Sequence, residues 1–222
     1  MIQAAAVASI EIARIRGKLD DLQQRDASFS VFGSGRHRYK LNPTMHEPEI
    51  RQFERAHSVT LPSEYRSFLL ECGNGGAGPY YGLFPLGYFD GSGGPLETWS
   101  EGDGFAGILS RPFPHETAWR LPSDRYTPPD LFRCAEEEKI WYQTLNDETW
   151  RPELIAGAFP ICHQGCAVRN CLVISGAERG KVWVDDRAND NGIFPETSET
   201  SERVGFLEWY ESWLDESLAA VG

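Results

Sequence analysis

Leu61-Pro62-Ser63-Glu64-Tyr65-Arg66-Ser67-Phe68-Leu69-Leu70-Glu71-Cys72-Gly73-Asn74-Gly75-Gly76 is the stretch on which the reading of the fold turns. Pro62 suits the first turn of a helix, where a missing N–H has no partner to lose and φ is already helical. Tyr65, Phe68, Leu69 and Cys72 recur at three and four residues, so they share one apolar face. Gly73 supplies a residue able to enter the left-handed region and end the helix. Asn74-Gly75-Gly76 extends the turn, and strand-like residues follow. The pattern is that of a helix buried on one side and feeding a tight turn into a sheet.

Upstream, Ile50 and Phe53 lie on one face of a helix over Pro48–His57, before a short polar break ahead of Val59. Thr44 with Glu47 fits a capping box, although Pro48 is placed to shift the start. Farther upstream, Ile12, Ile15, Leu19 and Leu22 form the stripe of an amphipathic helix over 5–25, expected to pack on the rest of the chain. A connector then carries Arg36-His37-Arg38-Tyr39-Lys40, a basic run too short to argue for nucleic acid in an acidic protein. Residues 1–42 therefore read as a helical extension and connector, and 43–222 as the main domain.

Downstream, Pro79–Gly87 reads as a short aromatic strand bounded by breakers. The glycines before it lack the lysine of a phosphate-binding loop. From about 87 to 130 the density of Gly and Pro predicts a loop-rich insertion. Asp90, Glu101 and Asp103 within it lack the spacing of an EF-hand. Glu136-Glu137-Glu138-Lys139 fits a solvated edge or a helix start. Leu172-Val173-Ile174 and Val182-Trp183-Val184 predict a β-hairpin with a longer loop. The last segment carries a stripe of Leu207, Tyr210, Leu214 and Leu218, widened by Phe206 and Trp213, with Ser201 as its expected cap. The fold class expected is α+β: helices over 46–57, 62–72 and 202–219 against a mostly antiparallel sheet drawn from 79–184.

The net charge of −12 is unevenly placed. Residues 1–129 carry 15 acidic and 13 basic side chains, whereas 130–222 carry 18 and 8, a balance of −10. Phosphates repel such a half, so nucleic acid and anionic membranes are excluded as expected partners, and a basic partner is steered toward it. No apolar run approaches the roughly 20 residues of a membrane span. The start lacks the basic residues of a secretory leader, which predicts a cytoplasmic protein. Five cysteines, an odd number, argue for reduced core thiols.

Cys162, His163, Cys166 and Cys171 are the one set whose residue types suit zinc or a nucleophile with its base. Their spacing is uneven for a tetrahedral site, and neighbours on an extended chain point apart, so neither metal nor cofactor is expected. Asp185 and Asp186 also diverge in a strand, with Arg187 at hand as a neutraliser.

The order I-x-x-F-E, a short gap, L-P-x-E-Y-x-x-F-L and then N-G-G resembles the SUKH superfamily, in its Smi/Knr-type branch. Phe159–Cys166, Leu172–Gly176 and Val182–Asp186 look like that family's later strands, so the resemblance runs from about 41 to 218. It implies a SUKH-like domain without catalytic residues that binds other proteins. In bacterial members the implied role is immunity, the neutralising of a toxin (here a basic one, such as a nuclease) by direct contact. A regulatory scaffold is the alternative it also implies, and a small Cys/His zinc protein or hydrolase is the rival from another class. A monomer or weak homo-oligomer is expected. The contact residues expected from aromatic and acidic character are Tyr80, Tyr81, Trp99, Glu136, Glu137, Glu138, Trp183, Asp185 and Asp186.

Overall fold

The computed structural model describes residues 2–90, 94–126, 128–129, 132–198 and 201–222. Of the stretch read as a loop-rich insertion, residues 91–93, 127 and 130 lie outside the described ones, as does Met1 of the 1–42 extension. The helices are α1 (Ile2–Arg25), α2 (Ser34–His37), α3 (Glu47–His57), α4 (Ser63–Glu71), α5 (Ser123–Tyr126), α6 (Ala135–Thr149) and α7 (Phe206–Val221). The strands β1 (Tyr88–Asp90) and β2 (Leu96–Thr98) form a small ribbon. The main sheet runs β3 (Ala158–Gly165), β4 (Val168–Val173), β5 (Val182–Asp186), β6 (Gly192–Pro195) in sequence order, every pair antiparallel. The fold is α+β.

Alternation along these strands creates two cores. Phe159, Ile161, Leu172 and Val182 face the helices, where Ile50, Phe68, Leu69, Phe206 and Tyr210 meet them. Ala158, Cys171, Val173, Trp183 and Ile193 face the other way, against Phe113, Leu154 and Ile155. The loop-rich insertion reaches both faces: Phe113 is buried against the back of the sheet, where Trp119 bridges Ile193, whereas Ala106 and Leu109 are buried in the helix-side core. Burying a side chain such as Phe113 contributes about 1.5–3 kcal/mol, which gives a segment with little secondary structure of its own a reason to stay in place.

The α1 stripe of Ile12, Ile15, Leu19 and Leu22 is wholly buried, and the helix packs along α7 and α4. Arg14 reaches Glu211 at 2.5 Å, and Lys18 sits 2.7 Å from Glu211 and 2.5 Å from Asp215, tying α1 to α7 along their exposed sides.

Several local expectations are displaced. The capping box of α3 is His46 with Glu49, two residues past Thr44 and Glu47, because Pro48 occupies the first turn. Pro62 stands just before α4 as its N-cap and not inside it. Gly73 does not turn left-handed; its N–H bonds the Phe68 carbonyl, and a side chain there would lie 2.7 Å from the Asn42 carbonyl oxygen. The positive φ falls instead on Gly75 and Gly76. Pro79–Gly87 is not a strand but a turn and an isolated bridge of Leu83 with Gly76 and Cys162, since Tyr80 and Gly82 both take positive φ. Glu136–Lys139 opens α6. Ser201 caps only a local turn with Arg203, and α7 starts at Phe206 with Gly205 as N-cap.

Candidate protein-binding cleft

The expected contact residues scatter. Trp183 is fully buried against Phe113 and beneath Arg203, whose guanidinium carbon is 5.6 Å from the ring centre. Trp99 is buried and stacked on Phe159 at 5.8 Å. Asp185 is buried in a two-pronged ion pair with Arg187, both contacts 2.7 Å. Asp186, also buried, accepts the amides of Asn189 and Asn191 and closes the β5–β6 turn. None of these four side chains offers a contact surface, because alternation and the wrapped insertion place them inside; the expectation is corrected for them. Glu136 and Glu138 are exposed in the first turn of α6, and Glu137 pairs there with Arg133. Tyr81 packs on Phe32 and His163, beside a depression of about 270 Å³ that Arg36 and Lys40 also line.

The thiols and His163 separate as well. A β-bulge after Pro160 turns Cys162 toward the helical core, whereas Cys171 faces the opposite one. Burial pushes both thiols up, Cys162 well above its ordinary value, which removes the thiolate a nucleophile or metal ligand needs. Cys162 Sγ donates to the Pro79 carbonyl at 3.1 Å. His163 Nδ1 lies 3.1 Å from Asp90, a carboxylate also paired with Arg36. Burial holds that imidazole below its ordinary pKa, against the pull of Asp90. Among the described residues no group of three His, Cys, Asp or Glu side chains is placed to hold a metal.

Of the nine expected residues, Tyr80 alone lines a cleft of about 430 Å³. Four segments build its walls: the loop carrying Phe32, the turn carrying Tyr80, the chain leaving β6 at Glu196, and α7. Asp26 shapes the first. Its carboxylate accepts the Ser30 N–H at 2.8 Å, the Val31 N–H at 3.0 Å and the Tyr39 hydroxyl. Gly33 then lets this loop meet the turn: at φ +78°, its missing Cβ would fall 1.8 Å from the Tyr80 carbonyl oxygen. Tyr80 is held by the Gly82 N–H donating to the Pro79 carbonyl. Glu196 extends the β5 pairing through its own N–H to Val182, and Asn170 donates to its Oε2 at 2.6 Å.

On α7, Trp209, Trp213 and Glu216 follow at four and three residues and face the cleft together. Sequence reading saw the neighbouring stripe of Leu207, Tyr210 and Leu214. The offset set at 209, 213 and 216 was the available signal for this site.

The cleft is aromatic and negative. Neither Glu196 nor Glu216 has an ion-pair partner among the described residues, in contrast to Glu211 and Asp215 on the same helix. Burial, joined by the charge of Glu216, raises the Glu196 carboxyl, although Asn170 and the Thr197 amide pull it back. Burial likewise pushes Tyr80 up to about 12, with Glu196 adding to it. Such a site suits a cationic group brought by a partner.

Among the described residues no helix is long and apolar enough to cross a membrane. No curated protein and no solved structure matches the chain. The sequence pattern of the SMI1 / KNR4 family (SUKH-1) matches residues 45–203, from the α3 capping box to the approach to α7. The antiparallel sheet, the α3–α4 pair and this span agree: the chain belongs to the SMI1 / KNR4 family (SUKH-1).

Proposed function

We propose that this protein is a non-catalytic binding domain of the cytoplasm that neutralises a basic protein toxin, such as a nuclease, by direct one-to-one contact. The observation that carries the reading is the aromatic cleft with two carboxylates that have no ion-pair partner among the described residues, both drawn from the half of the chain whose balance is −10. Opposite potentials speed encounter and select against acidic partners. SUKH domains have immunity-protein-like or regulatory roles, and the acidic aromatic cleft is what favours the first of these over a regulatory scaffold. The family span beginning at residue 45 supports reading 1–42 as an extension laid onto a domain at 43–222 with an insertion at about 87–130.

Co-expression with a nuclease-type toxin domain from a neighbouring reading frame tests the proposal. Survival and a 1:1 complex by size-exclusion chromatography with light scattering are expected. Cell death despite soluble, folded protein would count decisively against it.

A further inference from the structure

We propose that the cleft between α7 and the Tyr80 turn is the receptor for a single arginine side chain projected by the basic partner. This rests on the binding reading above and names the chemical group that reading leaves open.

Three observations converge. The walls are rings: Tyr80, Trp209 and Trp213 line the space, and Phe32 stands 60% exposed at its rim. Aromatic faces attract cations, and guanidinium is weakly hydrated and planar, so it stacks where an ammonium group would lose hydration. The floor and lip carry carboxylates, Glu196 and Glu216, for which the chain supplies no cation among the described residues. The Glu196 carboxylate is held in place by Asn170, so it meets a guanidinium without first being ordered. Finally, the cleft opens past exposed Thr197 and Glu216, which suits a side chain reaching in from a large surface.

The location adds specificity. The Phe32 loop and the α7 face lie outside the matched family span of 45–203, whereas Tyr80 and Glu196 lie inside it. The cleft thus joins residues inside the matched span to the Phe32 loop and α7, which lie outside it. A pH dependence follows: burial raises the Glu196 carboxyl, so it loses its proton at a higher pH than an exposed glutamate does. A cation in the cleft favours the ionised form, and affinity rises with pH as Glu196 loses its proton.

The test titrates the full chain with blocked Gly-Arg-Gly, Gly-Lys-Gly and Gly-citrulline-Gly, following the indole N–H signals of Trp209 and Trp213 by NMR. Citrulline keeps the shape of arginine and removes the charge. A saturable shift with the arginine peptide is expected, with the citrulline peptide weaker by about tenfold or more. Glu196→Gln is expected to weaken the arginine peptide by about tenfold, and Glu216→Gln, on an exposed position that folding does not depend on, by about threefold. Equal binding of arginine and citrulline peptides, or no saturable shift with arginine, overturns the proposal.

The outcome is separable from the proposed function. Toxin rescue that survives Glu196→Gln with Glu216→Gln sinks the arginine receptor and leaves neutralisation standing. An arginine-selective cleft in a chain that rescues no toxin leaves the receptor standing and sinks neutralisation.

Discussion

Glu64 and Leu207 are 143 residues apart, yet the Leu207 backbone N–H donates to Glu64 Oε2 at 3.2 Å. A carboxylate from the first turn of α4 thereby serves as the N-terminal cap of α7, whose own N-cap, Gly205, has no side chain to offer. Gly205 leaves room for the same contact, since a Cβ there would lie 2.9 Å from that oxygen and push the carboxylate aside. Glu64 belongs to the stretch that decides the fold, and its role is to begin another helix. Glu64→Ala is expected to lower stability by about 1 kcal/mol, the usual cost of a lost cap, with fraying of α7. Urea denaturation with hydrogen exchange at 207–209 measures both, and unchanged exchange there would refute the cross-chain cap.

Arg187 and Asp185 form a closed ion pair in the interior, with Arg187 also donating to the carbonyls of Thr149 and Gly104. Arg187→Met strands Asp185 without a partner and is expected to cost about 3–5 kcal/mol. The double change Arg187→Met with Asp185→Leu should cost less than the single one. Equal losses in the single and double variants, read by chemical denaturation, would show that the pairing is not what matters.

Gly33 is the hinge at which the Phe32 loop touches Tyr80. Gly33→Ala puts a Cβ onto the Tyr80 carbonyl and imposes a left-handed φ on an alanine. A loss of about 1–3 kcal/mol is expected, with an altered NMR environment for Tyr80. A variant as stable as the parent would mean the two walls do not meet as described.

Trp183 separates packing from recognition. Trp183→Ala empties a fully buried position and is expected to cost about 3–5 kcal/mol. Folded Trp183→Phe protein should hold a basic partner as tightly as the parent. A tenfold loss of affinity in that variant at unchanged stability would return Trp183 to the contact surface.

Acid should weaken the fold through Asp26. Burial alone would raise this carboxyl, but the Tyr39 hydroxyl and the Ser30 and Val31 amides outweigh it and hold the group well below its ordinary value. A depressed folded-state pKa stabilises the protein fully above the unfolded value of about 3.9, and that contribution fades as pH falls below it. The stability gap between the parent and Asp26→Asn should therefore be largest near neutrality and shrink from about pH 4 downward. Denaturation curves at pH 7, 4 and 3 decide this; a gap constant with pH would contradict it.

What the residues declared in one dimension was periodic or punctuated. The 3.6-residue stripes of α1, α3, α4 and α7 and the alternation of β4 and β5 follow from which side chains must leave water, a property local enough to read along the chain. The order of motifs around Leu61-Pro62-Ser63-Glu64-Tyr65 likewise carried the family. Punctuation was less certain: Pro48 moved the α3 cap by two residues, and Gly73 proved to be a point of close approach to Asn42, since a glycine's role depends on its neighbours in space.

The candidate site came out differently. Aromatic and acidic character by itself does not say which side of a layer a residue occupies, so Trp99, Trp183 and Asp185 resembled contact residues although packing against the sheet and its insertion buries all three. Composition and periodicity determined that this chain forms helices on an antiparallel sheet and that its C-terminal half is acidic. Only the tertiary structure decided that Phe32, Tyr80, Glu196 and Trp213 share a cleft, because their meeting depends on a glycine against a carbonyl and a carboxylate held by a distant amide. Contacts of that range are settled by packing in three dimensions and leave no period in the sequence.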